Sequence, residues 1–569
     1  MNIKDYFKDR KNQTVSLVFL ITMLIACAPL ISRYCINGHD LEYHLLRIES
    51  LKEGIRIGKP FLRVNTLFFG NAGYASSMFY PDFLLYIPTF LRVLGISINA
   101  SYHIYVAICI ILCYIFTYLS VKHMTGSSYG ALIAAVTLTL SQYHLDDIYV
   151  RSAAGEYTAF IFIPVMVCGI YNVIFEKMDK PQLFIAGYGG LLLTHTSTFA
   201  MCTLFGFAVF VIYIKRIFSD KKVLIKLAVS VIVTLLLTCF YWLPMLEQFM
   251  DTTFYVSTPW MQPKDEAVKF LSIFGSSFPA LGSVCVLILI PRIFIRRKNS
   301  RTYIAYADIL ILAGALFAFL SCDILPWARI GKYLSFIQFP WRFFIMSSVL
   351  FSMAAGLIFS VLIGKDEDTG NIWELKVSEE GTGVNAGAVI LILILIINGI
   401  SGFSILNRNS QGYYDYSDDY YSYVPYTANV IAGEWLPERV KDKETLIDDS
   451  LVMVSDKGDK LDFIREGNTI AADINGDFGY ADVPFIYYLG YRAELKKNDG
   501  SRTRLKVTGE GNNGMCRVYL NDCGQGRLKV YYGGTLLSHL SSYVSLICLI
   551  AVIVIGLKHG KRTGKEKTH

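Results

Sequence analysis

The sequence predicts a polytopic α-helical membrane protein of about twelve spans, with a β-sandwich-like domain outside the membrane near its C-terminus. Three observations predict it. Of 569 residues 53% are hydrophobic and only 17% charged, an apolar excess that soluble globular chains do not carry. The apolar residues gather into runs close to the roughly 20 residues that cross a bilayer. Residues 405 to 538, between the last two runs, break instead into short alternating segments separated by Gly, Asn and Asp, the pattern of antiparallel strands.

The runs lie at residues 14 to 32, 99 to 120, 129 to 142, 157 to 176, 182 to 196, 198 to 214, 223 to 244, 273 to 294, 303 to 321, 343 to 364, 387 to 404 and 540 to 557. Lys4, Lys8, Arg10 and Lys11 precede the first. Lys122, Lys177 with Lys180, the cluster from Lys215 to Lys226, Arg292 to Arg301, Lys365 and the tail from Lys558 follow every second one. Cationic loops stay on the cytoplasmic side during insertion, so the alternation places both termini there. It also accounts for the net charge of +7 without nucleic acid as a partner, because the cations sit between apolar runs.

The same parity makes residues 182 to 214 two crossings joined by Thr194-His195-Thr196-Ser197. The stretch from Tyr80 to Leu94 is proline-broken and shorter than a span, and reads as an outer-surface helix that does not cross. Leu24-Ile25-Ala26-Cys27 also fits a lipobox, against the reading of an uncleaved helix in which Cys27 packs. The expected organisation is therefore a bundle over residues 1–404 with a first extracytoplasmic loop at 33–98, an extracytoplasmic β-rich domain at 405–538, and a final helix with a basic cytoplasmic tail at 539–569.

The β-rich domain carries 16 basic against 20 acidic residues, net −4, which suits the face opposite the cationic loops. It opens with a tyrosine tract, Tyr413, Tyr414, Tyr416, Tyr420, Tyr421, Tyr423 and Tyr426, suited to anchoring at a membrane interface or stacking on sugars. Strands are expected at Leu451 to Val454, Thr469 to Ile474, Phe485 to Glu494, Arg504 to Val507, Met515 to Leu520 and Arg527 to Tyr532. Cys516 and Cys523 could pair across strands. Gly509-x-Gly511-x-x-Gly514 matches a dinucleotide-binding string, but it leads into a strand and reads as a hairpin turn.

Ionisable groups near a membrane core are costly and usually functional. Those expected at the outer ends of spans are Asp40, Glu42, Arg151, Glu156, His195, Glu247 and Arg342. In Gly38-His39-Asp40-Leu41-Glu42-Tyr43-His44-Leu45-Leu46-Arg47-Ile48, a helix would place Asp40, Tyr43, His44 and Arg47 on one face. The plain alternative is a surface helix capped by Asp40. Asp40 and Glu42 could together hold a divalent cation, although residues two apart on a helix diverge, so no metal ligands are assigned and no cofactor is firmly implied. His103, His123 and His144 are isolated, and Asp146-Asp147 reads as a solvated turn.

Six motifs in order carry a resemblance: Asp40-x-x-Tyr43-His44-x-x-Arg47-Ile48 with Phe79-Tyr80-Pro81, Arg151 to Glu156, Leu193-Thr194-His195, Trp242-Leu243-Pro244 with Glu247, Gln338-Phe339-Pro340-Trp341-Arg342, and Gly433-Glu434-Trp435-Leu436-Pro437. The chain resembles the GT-C superfamily of polyprenyl-phosphate-sugar glycosyltransferases, and within it the bacterial YfhO-like membrane proteins, also labelled 6-pyruvoyl-tetrahydropterin-synthase-related. It departs in having Pro81-Asp82 where many relatives have two prolines. The resemblance implies a GT-C-like bundle that moves a sugar from a polyprenyl-phosphate carrier to a glycopolymer or lipid acceptor of the cell envelope. It implies Asp40, Glu42 and His44 at the chemistry, and Arg47, Arg151, Glu156, His195, Glu247 and Arg342 on the substrate.

The chemistry of the residues agrees. A lipid-phosphate leaving group departs as a stable anion, so one base and cations to hold the phosphate suffice. Asp40 is the expected base, kept ionised by Arg47, and Arg151 and Arg342 are the expected phosphate clamps. The other classes are a lipid-linked sugar transporter or flippase, which should carry polar groups at mid-membrane, and a non-catalytic assembly factor whose β-domain binds a partner.

Overall fold

A computed structural model describes residues 10–257, 262–295, 302–334, 337–362, 374–375, 384–408, 412–416, 433–446, 451–521 and 523–566. The chain forms two compact units: one of residues 1–41, 102–232 and 261–415, the other of residues 42–101, 233–260 and 416–569.

The described helices include α1 (Arg10–Ala26), α2 (Leu41–Arg56), α3 (Tyr86–Val93), α4 (Ile98–Thr125), α5 (Ser128–Thr139), α6 (Ala154–Phe175), α7 (Pro181–Leu192), α8 (Thr196–Ile212), α9 (Lys221–Asp251), α10 (Thr302–Leu320), α11 (Phe344–Leu362), α12 (Ala386–Arg408) and α13 (Leu536–Glu566). Among the described residues seven stretches are long and apolar enough to cross a membrane: Ile98–Thr125, Ala154–Phe175, Lys221–Asp251, Thr302–Leu320, Pro340–Leu362, Val389–Asn407 and Leu536–Lys558. Helices α1, α5, α7 and α8 match four further expected runs but are shorter. α7 and α8 form the two expected arms, joined by Leu193 to His195, with Thr196 and Ser197 inside α8 rather than in the turn. Within Tyr80 to Leu94 the α-helix is the eight-residue Tyr86–Val93, too short to cross a bilayer.

One expected span is absent. Residues 273 to 294 form no continuous helix but three short pieces, Phe270–Phe274, Val284–Leu287 and Ile290–Phe294. The run is apolar enough to span, but Gly275, Pro279, Gly282 and Pro291 interrupt its hydrogen-bond ladder. Hydropathy averages over such breaks; backbone geometry does not.

In the first unit α6 and α11 are the most enclosed spans, each with 89% of its apolar window buried, whereas the windows of α9 and α13 are only 28% and 11% buried. The exposed Ile225, Val229, Ile232, Ile547, Ile550 and Ile553 are what a helix facing lipid presents. Helices α5 and α11 approach closely because Gly130 and Gly356 face each other. A Cβ on either would lie 2.5 or 2.7 Å from the other's carbonyl oxygen. Small residues allow this contact, which in lipid must come from packing rather than from the hydrophobic effect.

In the second unit the strands are β3 (Met453–Ser455), β4 (Lys460–Leu461), β5 (Ile464–Glu466), β6 (Thr469–Ile474), β7 (Tyr480–Ile486), β8 (Tyr491–Lys497), β9 (Arg502–Leu505), β10 (Val507–Thr508), β11 (Met515–Tyr519) and β12 (Gly526–Tyr532). β1 (Cys35–Ile36) and β2 (Tyr413–Tyr414) pair separately in the first unit. The ten strands make two five-stranded antiparallel sheets, ordered β9-β8-β12-β6-β5 and β10-β11-β7-β3-β4. Only Lys506 separates β9 from β10, so the chain passes there from one sheet to the other. Ile470, Ala472, Ala493, Leu495, Leu528 and Val530 face inward from the first sheet, and Ala481, Val483, Cys516 and Val518 from the second.

Three expectations change here. Phe485 to Glu494 is two strands rather than one, because Gly490 at φ 119° turns the chain between β7 and β8. Cys516 and Cys523 are both free thiols, Cys516 buried near the start of β11. Asp146 and Asp147 are buried, not solvated. Gly509 to Gly514 is the expected turn, closing β10 onto β11. Tyr420, Tyr421, Tyr423 and Tyr426 lie outside the described residues.

Candidate functional site: a carboxylate and guanidinium cluster

Four of the residues singled out by sequence converge in the first unit. Gly38 lies against Ser152, where a Cβ would meet the Ser152 nitrogen at 3.0 Å. That close approach lets the His39 and Asp40 amides donate to the carbonyls of Val150 (3.1 Å) and Arg151 (2.7 Å). Asp40 is thereby fixed by its backbone one residue ahead of α2, while its side chain stays 41% exposed.

Arg151 ends a single wide turn, Asp147–Arg151, and Ser152 follows in the left-handed region. The guanidinium is 5% exposed and bridges three carboxylates: Nη2 donates to Asp40 Oδ2 at 3.2 Å, and Nη1 to Asp147 Oδ1 at 3.1 Å and to Glu156 Oε2. Glu156, in the first turn of α6, also accepts from the Tyr143 hydroxyl at 2.5 Å and lies 3.3 Å from Arg342 Nε. Arg342 sits in the turn Pro340–Phe343 that opens α11, donating through Nη1 to the Ile337 carbonyl (3.0 Å) and Gln338 Oε1 (2.6 Å). Trp341 lies under Arg151, its ring centroid 4.6 Å from the guanidinium carbon. His195 caps α8 and bonds Thr198 Oγ1 at 2.7 Å, within electrostatic reach of Glu156.

The cluster holds three carboxylates against two guanidiniums. Burial, then the charge of Glu156, pushes the Asp147 carboxyl well above its ordinary range, against the pull of Arg151. Its Oδ2 has no hydrogen-bond partner among the described residues. With Asp147 protonated the charges balance. A carboxyl raised on folding stabilises below its unfolded value of about 4 and loses that contribution as pH rises toward its folded value. The thermal midpoint of Asp147→Asn should therefore gain on the parent chain as pH is raised from about 4 to neutrality. A gap that stays constant with pH would contradict this.

The other sequence-selected residues belong to the second unit. Arg47, expected to hold Asp40, is fully buried in the second unit and committed to the Tyr80–Asp82 segment. Its Nη2 donates to the carbonyls of Tyr80 (3.1 Å) and Pro81 (2.9 Å) and to Asp82, and its Nη1 lies 3.2 Å from His44 Nδ1. The guanidinium at Asp40 is that of Arg151. His44 is buried beside Tyr80, ring centroids 5.9 Å apart. Glu247 accepts from the Thr535 hydroxyl at the entrance to α13. Glu42 is half-buried in the first turn of α2.

Sequence reasoning missed Asp147, Tyr143, Trp341 and His39. The first two had a signal, since Tyr143, Asp147 and Arg151 recur every four residues. His39, exposed beside Asp40 with its ring 6.0 Å from Phe278, is held below its ordinary basicity by desolvation, which outweighs the raising charge of Asp40. Among the described residues no three His, Cys, Asp or Glu side chains gather to hold a metal ion. The negative charge of this cluster is met by guanidiniums instead.

No protein-family profile and no curated protein matches the chain. Among solved structures it is similar to the single-particle cryo-EM structure of arabinofuranosyltransferase AftD from Mycobacteria, at 12% identity and a TM-score of 0.44 over 70% of this chain. A mutant form of that protein gives 14%, 0.39 and 69%. The matched region spans 27% of the length of either structure.

Proposed function

We propose that the chain is an integral-membrane glycosyltransferase that moves a sugar from a polyprenyl-phosphate donor to a cell-envelope acceptor on the outer side of the membrane. The observation that carries this reading is the state of Asp40. One carboxylate oxygen is held by Arg151, the other has no hydrogen-bond partner among the described residues, and the side chain is 41% exposed.

A carboxylate oriented by one oxygen and open at the other suits a general base. Asp40 takes the proton of an acceptor hydroxyl as its oxygen bonds the sugar carbon, and the bond from that carbon to the phosphate oxygen breaks. The phosphate leaves with the electron pair, and cations at its departure lower the barrier most where water is scarce. Arg342 supplies one, since its Nη2 has no partner among the described residues while its Nη1 is anchored on Ile337 and Gln338 and its Nε faces Glu156. Arg151 holds the base and Glu156 ties the two guanidiniums together; Tyr143 and Trp341 position them. His44 and Arg47 fix the Tyr80–Asp82 segment within the second unit.

The test is transfer of radiolabelled sugar from a polyprenyl-phosphate donor in membranes containing the chain. Arg342→Ala should weaken donor binding about tenfold or more, and Arg342→Lys should restore only part, because an ammonium cannot make the guanidinium's paired contacts. Unchanged donor binding in Arg342→Ala, with the fold intact by thermal midpoint, would take Arg342 out of the site. Absence of any transfer across polyprenyl-linked sugars, with donor lipid bound, would favour the transporter reading.

A further inference from the structure

The β-rich region is acidic overall, yet its charges are not mixed evenly. On β9, β8 and β12 the residues facing away from the buried side are Arg502 and Arg504, Arg492, Glu494 and Lys496, and Arg527, Lys529 and Tyr531. That surface carries six cations and one carboxylate.

Register makes the grouping tighter. Lys496 lies directly between Arg502 and Arg527, so three cations stand abreast across three strands. In the next row Glu494 separates Arg504 from Lys529. Neighbouring strands are about 4.8 Å apart, and like charges directly opposite destabilise a sheet. Among the described residues none of Lys496, Arg502, Arg504, Arg527 and Lys529 makes an ion pair; Asp473 on β6 stands opposite Arg527 at one end of the row, while Lys496 and Arg502 have no carboxylate opposite them, so the repulsion is offset only in part. Lys59, in the same unit, adds a further cation: its ammonium lies 5.6 Å from the Tyr531 ring and donates to Asn468 Oδ1 at 2.7 Å. Burial and then the charge of Lys529 hold that ammonium below its ordinary value.

We propose that the outer face of β9, β8 and β12 is a docking surface for a linear polyanion bearing repeated phosphate groups, seated along the Arg502–Lys496–Arg527 row. Charge complementarity selects an anion, and the breadth of the row selects a repeating one. Guanidinium forks favour phosphate oxygens through paired hydrogen bonds. A bilayer surface is the poorer occupant, because docking on lipid headgroups pairs cations with apolar anchors. The large exposed apolar side chains described between residues 451 and 535 are Val452 and Ile464, and neither lies on these three strands. The surface is independent of the transfer reaction.

The experiment titrates the full chain in detergent with inorganic polyphosphate and follows binding against salt. The triple substitution Lys496→Gln, Arg502→Gln, Arg527→Gln should weaken binding about tenfold or more and flatten the salt dependence, whereas Lys496→Arg with Arg502→Lys and Arg527→Lys should retain it. The glutamine variant should keep or raise the thermal midpoint, since it removes like-charge repulsion. If it does not fold, Lys496→Gln alone removes the centre of the row and should still weaken binding. Orthophosphate at equal total phosphate should compete poorly. Polyphosphate affinity unchanged in the glutamine variants, competition by orthophosphate at parity, or binding to anionic vesicles without binding to polyphosphate would each overturn the proposal.

Discussion

Asp40→Asn is expected to abolish sugar transfer while leaving donor binding nearly intact. The amide keeps the size of the carboxylate and can still accept from Arg151 through its oxygen, so the 3.2 Å contact survives in a weaker, uncharged form. What disappears is the open oxygen that would take a proton. A positioned general base contributes about 10²- to 10⁴-fold, and the loss should appear in kcat with KM for the donor little changed. The backbone bonds from His39 and Asp40 to Val150 and Arg151 do not involve the side chain, so the fold should persist. Full activity in Asp40→Asn would move the base to His39 or Glu42. Full activity in Asp40→Asn, Glu42→Gln and Arg342→Ala alike would remove the enzymatic reading.

The largest effect on stability is expected at Glu156. Its carboxylate is 1% exposed and meets two guanidiniums and a phenol, so Glu156→Gln leaves Arg151 and Arg342 facing each other with the charge between them gone. Breaking one side of a buried ion pair costs roughly 3–5 kcal/mol, because the remaining charge stays desolvated. The thermal midpoint in detergent should drop sharply. Adding Arg342→Gln should recover part of the loss, so the double variant costs less than the two single ones together. A Glu156→Gln chain as stable as its parent would mean that the cluster is hydrated and the pairing weak.

Much of this site could be read from the chain. Asp40, Arg151, Glu156 and Arg342 were selected because charge is rare at the ends of apolar runs, a local property that needs no fold. Their mutual pairing could not be read. Arg47 lies at helical spacing from Asp40 and was the natural partner, but it is drawn to Asp82 and two carbonyls, while Arg151 reaches Asp40 from 111 residues away. Asp147 looked solvated because a paired-aspartate motif in a loop usually is; its burial follows from the wide turn that folds it back on Arg151.

By itself the sequence determined seven apolar runs long enough to cross a membrane, the β-rich character of the region after residue 405, and the inventory of charged groups that a membrane protein must satisfy. Run length, alternation and the scarcity of ions in lipid are properties of neighbouring residues. The tertiary structure alone decided that residues 273 to 294 are broken, that Phe485 to Glu494 is two strands, which guanidinium holds which carboxylate, and that six cations stand together on one sheet face. Each of these depends on strand register, on backbone turns or on contacts between distant segments, and a shift of one residue in any strand would have carried those cations to the buried side.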